Sequence, residues 1–331
     1  MKRSRTTYVT LAMRNVPLVL FVVILAGFGL FAEGFSEYRS LENIVKQASY
    51  IGIVAVGITF VLLTAGIDLS VGSNMYLSAV VAGLLMDKYQ VGLWPALGAC
   101  LAVGLLFGTV NALAVAKLKI IPFVATLSTM VAGRGLALML TESREVSFPD
   151  SVVRIGSIQL FGLIPLPVAI FGLVVLIAHV FLRWTMLGRQ IYAVGDNKEA
   201  AQKAGIRVNR VLVSVYLICG LLAALGGFVS VAQLGNVNSG FAKGDEFDAI
   251  AAAVLGGTSL FGGMGSVFPG TVLGAVLIRM VSAGLVAAQV NLYLQPMVSA
   301  AIIFVAVFLD SFRNRRLAQL GRRRIRAEEI T

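Results

Sequence analysis

The chain is short of charge. Only 13% of its 331 residues are Asp, Glu, Lys or Arg, against about 25% in an average soluble domain. That shortage excludes a soluble globule with a polar skin. His179 is the single histidine, so no metal-ligand spacing exists, and His179 itself is expected near a helix end at the interface. The two cysteines, Cys100 and Cys219, fall inside apolar runs, where a free thiol behaves as a small hydrophobe; no disulfide is expected. G-x-x-x-x-G-K-[ST] is missing, and with it a phosphate-cradling loop of the ATPase type. G-x-S-x-G and H-E-x-x-H are missing too. "GGMGSVFPG" is rich in glycine but lacks the flanking strand and the acid of a dinucleotide fold. The chain does not read as an enzyme, and no cofactor or metal is expected on it.

What is present is apolar sequence. The chain is 58% hydrophobic, with a mean hydropathy of +0.90. A membrane-spanning helix needs roughly 20 apolar residues. About ten segments qualify: Asn15–Phe31, Ile44–Gly66, Ser73–Met86, Val91–Ala116, Ile121–Leu140, Leu160–Leu182, Val211–Leu234, Ala249–Gly263, Val267–Ala288 and Leu292–Leu309. The third and eighth are short. Backbone groups in lipid must be satisfied within the segment, which makes helices the default. None of the segments has the ten-residue alternation of a membrane barrel. The expected fold is all-α and polytopic, one transmembrane domain over 1–331.

Orientation follows from the basic residues. With the N-terminus in the cytoplasm, ten helices leave inside the N-tail 1–14, the Lys117/Lys119 turn, the loop 183–210 and the C-tail 310–331. Those pieces hold nineteen of the 27 lysines and arginines, a strong positive-inside bias. Both termini are therefore expected inside. The net charge of +11 is then a matter of topology and anionic headgroups, not of nucleic-acid binding. The first apolar run has no small-x-small cleavage site after it and is expected as a retained helix. Glu142, Glu145, Asp150, Asp245 and Glu246 make an acidic outer face, with Arg144, Arg154 and Lys243 as exceptions.

Three stretches break the pattern. "GIDLSVGS", Gly66–Ser73, lies at the inner end of the second segment and carries the only acid near a membrane-buried position, Asp68. "GGTSLFGGMGS", Gly256–Ser266, ends the short eighth segment. Both read as glycine-broken helices at membrane depth, where non-helical backbone survives only if buried or lining water. Gly66, Asp68, Ser70, Gly72, Ser73, Asn74, Gly256, Gly257, Thr258, Ser259, Gly265 and Ser266 are thus candidates for a pathway or hinge. The alternatives stay open for Asp68: it caps the following helix, or pairs with Arg134 or Arg279, whose charges inside apolar segments need partners, or meets the solute. The third stretch is the loop Arg183–Val211. Asp196 or Asn197 is placed to cap a short helix, Glu199, Ala200 and Ala201 begin it, and Gly205 is suited to end it in a left-handed turn.

Together, "GIDLSVGS", "GRQIYAVGDNKEAAQKAGI" and "DAIAAAVLGGTSLFGGMGS" resemble the permease subunits of bacterial ATP-binding-cassette importers for simple sugars, such as the ribose, xylose, arabinose and galactose permeases. The resemblance spans about Ile44 to Leu309. It implies a ten-helix fold similar to that of the vitamin B12 importer permease, in the bacterial inner membrane. It implies a second permease chain, identical or related, two cytoplasmic ATPases carrying ATP and Mg, and a periplasmic sugar-binding protein. The segment holding Gly195, Asn197, Glu199, Ala200, Ala201 and Gly205 would be the coupling helix that docks on the ATPase. The same architecture could carry branched-chain amino acids, nucleosides or another small polar solute. From another class, a self-sufficient secondary transporter would use Asp68 as its ion site.

Overall fold

Inside lipid every backbone polar group needs an internal partner, and the apolar runs accordingly fold as helices. The computed structural model describes residues 16–291 and individual residues from 293 to 308. Its helices are α1 (Val16–Phe31), α2 (Tyr38–Leu63), α3 (Val71–Tyr89), α4 (Leu93–Ala112), α5 (Pro122–Thr141), α6 (Asp150–Ser157), α7 (Leu166–Trp184), α8 (Met186–Asp196), α9 (Lys198–Lys203), α10 (Val208–Leu234), α11 (Asp245–Leu255) and α12 (Val272–Ala287). A π-helical turn, Leu113–Lys117, extends α4, and another, Val267–Thr271, leads into α12. Both tails and half of the tenth segment lie outside the described residues.

Among the described residues, six helical stretches are long and apolar enough to cross a membrane: Tyr38–Leu63, Leu93–Lys117, Pro122–Thr141, Leu166–Trp184, Val208–Leu234 and Val267–Ala287. The chain is a multi-pass membrane protein. The two segments read as short differ from the rest for a visible reason. Ser73, Asn74, Ser78, Asp87 and Lys88 dilute the apolar content of α3, which is nevertheless 19 residues long. The eighth segment, expected over Ala249–Gly263, is a helix only from Asp245 to Leu255. The sixth also starts late: Leu160 belongs to a two-residue hairpin, Gln159–Leu160 against Ile164–Pro165, and α7 begins at Leu166 with a proline in its first turn, where a missing N–H costs nothing.

The chain divides into two compact units, 1–40 with 280–331, and 41–279. Within the first, the Phe28 ring lies 5.5 Å from that of Phe35 and covers Gly284, where a side chain would overlap it. The second unit is built around α10. Its small residues let neighbouring backbones come close: a Cβ on Gly108 would lie 2.6 Å from Tyr216 O, and one on Gly227 would lie 2.9 Å from the Met75 Cα. Gly104 and Gly220 face each other in the same way. Most of α3 is buried against α4 and α10. A short antiparallel pairing, Val146 with Val237 and Ser147 with Asn236, ties the segment after α5 to the end of α10.

Candidate functional site

The first broken stretch folds as a buried polar knot. Asp68 Oδ1 accepts from the Ser70 amide at 2.9 Å and from the Ser70 hydroxyl at 2.6 Å. Asn111, from α4, donates to Ser70 Oγ at 2.8 Å and to Asp68 Oδ1 at 3.4 Å. Thr129, from α5, donates to Asn111 Oδ1 at 2.7 Å, and the Cys219 thiol on α10 also reaches Asp68. One turn further, Ser73 Oγ donates to Ser70 O at 2.8 Å. Asn74 donates to Gly220 O at 2.9 Å and accepts from Ser78 at 2.9 Å. Asp68, Ser70, Ser73, Asn74 and Asn111 are each at most 1% exposed. The knot gathers four helices around the start of α3.

This geometry gives Asp68 its protein partners. Its carboxylate holds the amide of Ser70, the residue that opens α3, so it fixes the chain just before the helix begins. Ser70 itself makes no side-chain cap of α3. Neither arginine is its partner. Arg134 donates to Ser239 O at 3.3 Å and Phe241 O at 3.2 Å, with its guanidinium 5.3 Å from the Tyr76 ring centre. Arg279 pairs with Asp245 at 3.1 Å and Asp248 at 3.2 Å and lies 5.1 Å from the Tyr50 ring centre. Both arginines hold the segment 239–248 that leads into α11. Asp245 and Glu246, read as part of an acidic outer face, are drawn inward: Glu246 is 7% exposed, its carboxylate lodged against Gly72. Glu142 and Arg144 do form an open surface pair, 3.1 Å apart.

The second broken stretch is a chain of tight turns. Gly257, Gly262, Gly263 and Gly265 all have positive φ. Ser259 N donates to Met264 O at 2.8 Å, and Ser259 Oγ accepts from Phe261 N at 3.1 Å. Gly256 packs on Gly270. Thr258 Oγ1 is buried without a hydrogen-bond partner among the described residues. Ser266 O accepts from Thr271, whose hydroxyl also meets that of Thr59 on α2 at 2.7 Å.

In the third stretch Asn197 Oδ1 accepts from the Ala200 amide at 2.9 Å and caps α9. Gly205, at φ +83, takes the left-handed turn after the helix. Glu199 and Ala200 are exposed, while Ala201 is 5% exposed and packs inward.

The second and third stretches converge with the end of α2 on one seam. Gly263 N donates to Leu63 O at 3.0 Å. Gly195, near the end of α8, fits against that same Leu63 carbonyl so closely that any side chain would overlap it. A Cβ on Gly262 would lie 2.7 Å from Gly195 O and 2.9 Å from Ala65 N. The Tyr192 hydroxyl donates to Gly265 O at 3.0 Å, and partial burial raises its pKa above the ordinary phenol value. α8 is thus wedged between the end of α2 and the second broken stretch.

Sequence reasoning placed the glycines and Asp68 in these stretches. It missed Asn111, Thr129, Tyr192 and the Tyr50–Asp245–Asp248 cradle of Arg279. The signal for Asn111 was available, because a lone amide in an apolar run demands a partner.

A multi-helix membrane domain with helices broken by glycine-rich stretches fits a transport subunit. The family model described as "Branched-chain amino acid transport system / permease component" matches residues 40–307, and the chain belongs to this family. Among curated relatives, the "Ribose import permease protein RbsC" of Escherichia coli K12 is 39% identical over 306 residues, 90% of this chain and 94% of the relative. The "D-allose transport system permease protein AlsC" of the same organism is 38% identical, covering 88% and 89% of the two chains. The "Fructose import permease protein FrcC" of Rhizobium meliloti is 35% identical, covering 90% and 85%. No solved structure matches.

Proposed function

We propose that the chain is the membrane-spanning permease subunit of an ATP-binding-cassette importer that brings a monosaccharide from periplasm to cytoplasm. The observation that carries this reading is the likeness, along nearly the whole chain, to import permeases named for ribose, allose and fructose. The finer picture has ten helices with both termini inside, a fold similar to the vitamin B12 importer permease, and a place in the bacterial inner membrane with lipid around it. Its partners are two cytoplasmic ATPases that bind ATP and Mg, a periplasmic sugar-binding protein and a second permease chain, most simply a copy of this one. The family description names branched-chain amino acids, which makes them the second cargo to try.

In this mechanism α9, with Glu199 and Ala200 on its open face, docks on the ATPase. Support for a coupling role comes from the seam: α8, one residue away from α9, touches the second broken stretch and the end of α2, just ahead of the first broken stretch, through Gly195 and Tyr192. ATP binding and release would favour two arrangements of that seam differently, which is what alternating access requires. The hinge and pathway role of Gly66–Asn74 and Gly256–Ser266 is part of the same proposal. Asp68, Ser70, Ser73 and Asn74, spent on protein hydrogen bonds, act in it as hinge residues.

The test is uptake in proteoliposomes that hold this chain, its ATPase and the loaded binding protein, with labelled pentoses, hexoses and branched-chain amino acids. Wild type is run beside Glu199→Ala combined with Gly205→Pro. ATP-dependent sugar uptake that needs all three proteins and is lost in the double variant is the expected result. Uptake by this chain alone, driven by an ion gradient and indifferent to the two substitutions, overturns the importer reading.

A further inference from the structure

A cavity of about 310 Å³ opens between the end of α7, α8 and the second broken stretch. Its lining is His179, Leu182, Arg183, Tyr192, Ser266 and Val267. His179 and Arg183 are four residues apart on α7 and so share a face. Across from them stand the hydroxyl-bearing residues Tyr192 and Ser266. Among the described residues no acid lines the cavity, and arginine stays cationic at any working pH. With the Tyr192 proton already given to Gly265 O, the donors left to the cavity are those of Arg183, His179 and Ser266, around one fixed positive charge and beside two apolar side chains.

The surroundings point to the ligand. α7 is mostly unburied along its apolar length, with Leu173, Leu176, Ile177 and Val180 exposed, an apolar surface on the helix that supplies His179 and Arg183 and one that suits acyl chains. Trp184, 74% exposed, follows Arg183 directly, as an aromatic anchor at a membrane–water interface does. The loop that starts at Arg183 carries six basic residues and two acids. Phe268 meets the His179 ring edge-on at 6.1 Å and is 55% exposed. Donors and a cation at headgroup depth, beside an apolar wall, suit a phosphate attached to acyl chains. Basic pockets between helices on the cytoplasmic side are a recurrent way of holding anionic headgroups.

We propose that this cavity binds the phosphate of an anionic phospholipid, with Arg183 and His179 as its principal donors. The site adjoins the seam, because Tyr192 lines the cavity and bonds to Gly265 while Ser266 is the next residue. An occupied cavity thus braces α7 against the second broken stretch. The leaflet assignment rests on the orientation proposed above; the binding itself does not.

The experiment uses the purified full chain and reads lipid binding without any transport. Retained phosphatidylglycerol is counted by native mass spectrometry, and thermal stabilisation is measured in detergent with phosphatidylglycerol, with diacylglycerol of the same acyl chains, or with inorganic phosphate. Phosphatidylglycerol is expected to stabilise wild type where diacylglycerol does not, and Arg183→Gln to weaken its retention about tenfold, as loss of a charge-assisted bond does. Arg183→Lys, which keeps the charge, is expected to retain most of the binding, and His179→Gln to lower it less than Arg183→Gln. Stabilisation by inorganic phosphate as large as that by the lipid would keep the phosphate chemistry but assign the site to the free anion. Equal retention in wild type, Arg183→Gln and His179→Gln, or equal stabilisation by diacylglycerol, overturns the proposal.

Discussion

Gly195 has no room for a side chain because the carbonyl of Leu63 occupies the place where a Cβ would project. That carbonyl also accepts the 3.0 Å bond from Gly263 N. One oxygen therefore marks where the end of α2, the end of α8 and the second broken stretch meet. Gly195→Ala must push these backbones apart, and overpacking of this kind costs about 1–3 kcal/mol. The expected outcome is a lowered unfolding temperature together with a larger loss of uptake per ATP hydrolysed. Comparing the two rates in proteoliposomes checks it.

Asp68 is a matter of acceptors. Asp68→Ala leaves the Ser70 amide and hydroxyl without their acceptor, and each buried orphan costs about 1–3 kcal/mol. Asp68→Asn keeps one oxygen and is expected to stand much closer to wild type. Thermal unfolding of the purified chain separates the two. Because Asp68 is 1% exposed, sugar preference is expected to stay unchanged in the asparagine variant.

Arg279 faces Asp245 and Asp248 with only 11% of its side chain exposed. Removing one member of a buried ion pair costs about 3–5 kcal/mol, since the remaining charge is stranded. Arg279→Gln is expected to be strongly destabilising. Combining it with Asp248→Asn is expected to recover part of the loss, and a double-mutant cycle on unfolding temperature measures the coupling.

The cap of α9 gives a local test. Asn197→Ala removes the acceptor for the Ala200 amide, a change worth about 1 kcal/mol. Gly205→Ala forces a side chain into a left-handed turn at φ +83, which costs about 1–2 kcal/mol. Both are expected to weaken ATPase binding while leaving the melting of the membrane domain nearly unchanged. Pull-down of the purified ATPase on immobilised permease reads the first, and a thermal shift the second.

The sequence carried the helical character, the broken stretches and the α9 cap, because each rests on local chemistry: apolar length, glycine, and an asparagine three residues before a free amide. The ends of the helices were harder to read. Leu160 falls in a hairpin and the eighth helix stops at Leu255, since apolar residues in turns look like apolar residues in helices. Partner choice was not legible at all. Arg279 is separated in sequence from Asp245 by the whole second broken stretch, and only the return of α12 alongside α11 brings them together. Asp68 and Arg134, although opposite in charge, find separate partners, Asp68 in Ser70 and Asn111 and Arg134 in the carbonyls of Ser239 and Phe241.

Where Gly104 and Gly108 meet Gly220 and Tyr216, α4 and α10 touch main chain to main chain. Ordinary helix pairs are cushioned by side chains that can change rotamer and absorb a shift. Here that cushion is missing, so a displacement of one helix is handed to the other undiminished. The two behave as the stiff beam of the molecule, with Asn74 pinning α3 to it through the Gly220 carbonyl. Motion entering through the loop 183–210 would then be concentrated in the glycine turns, the compliant parts of the structure, rather than dissipated through the helices.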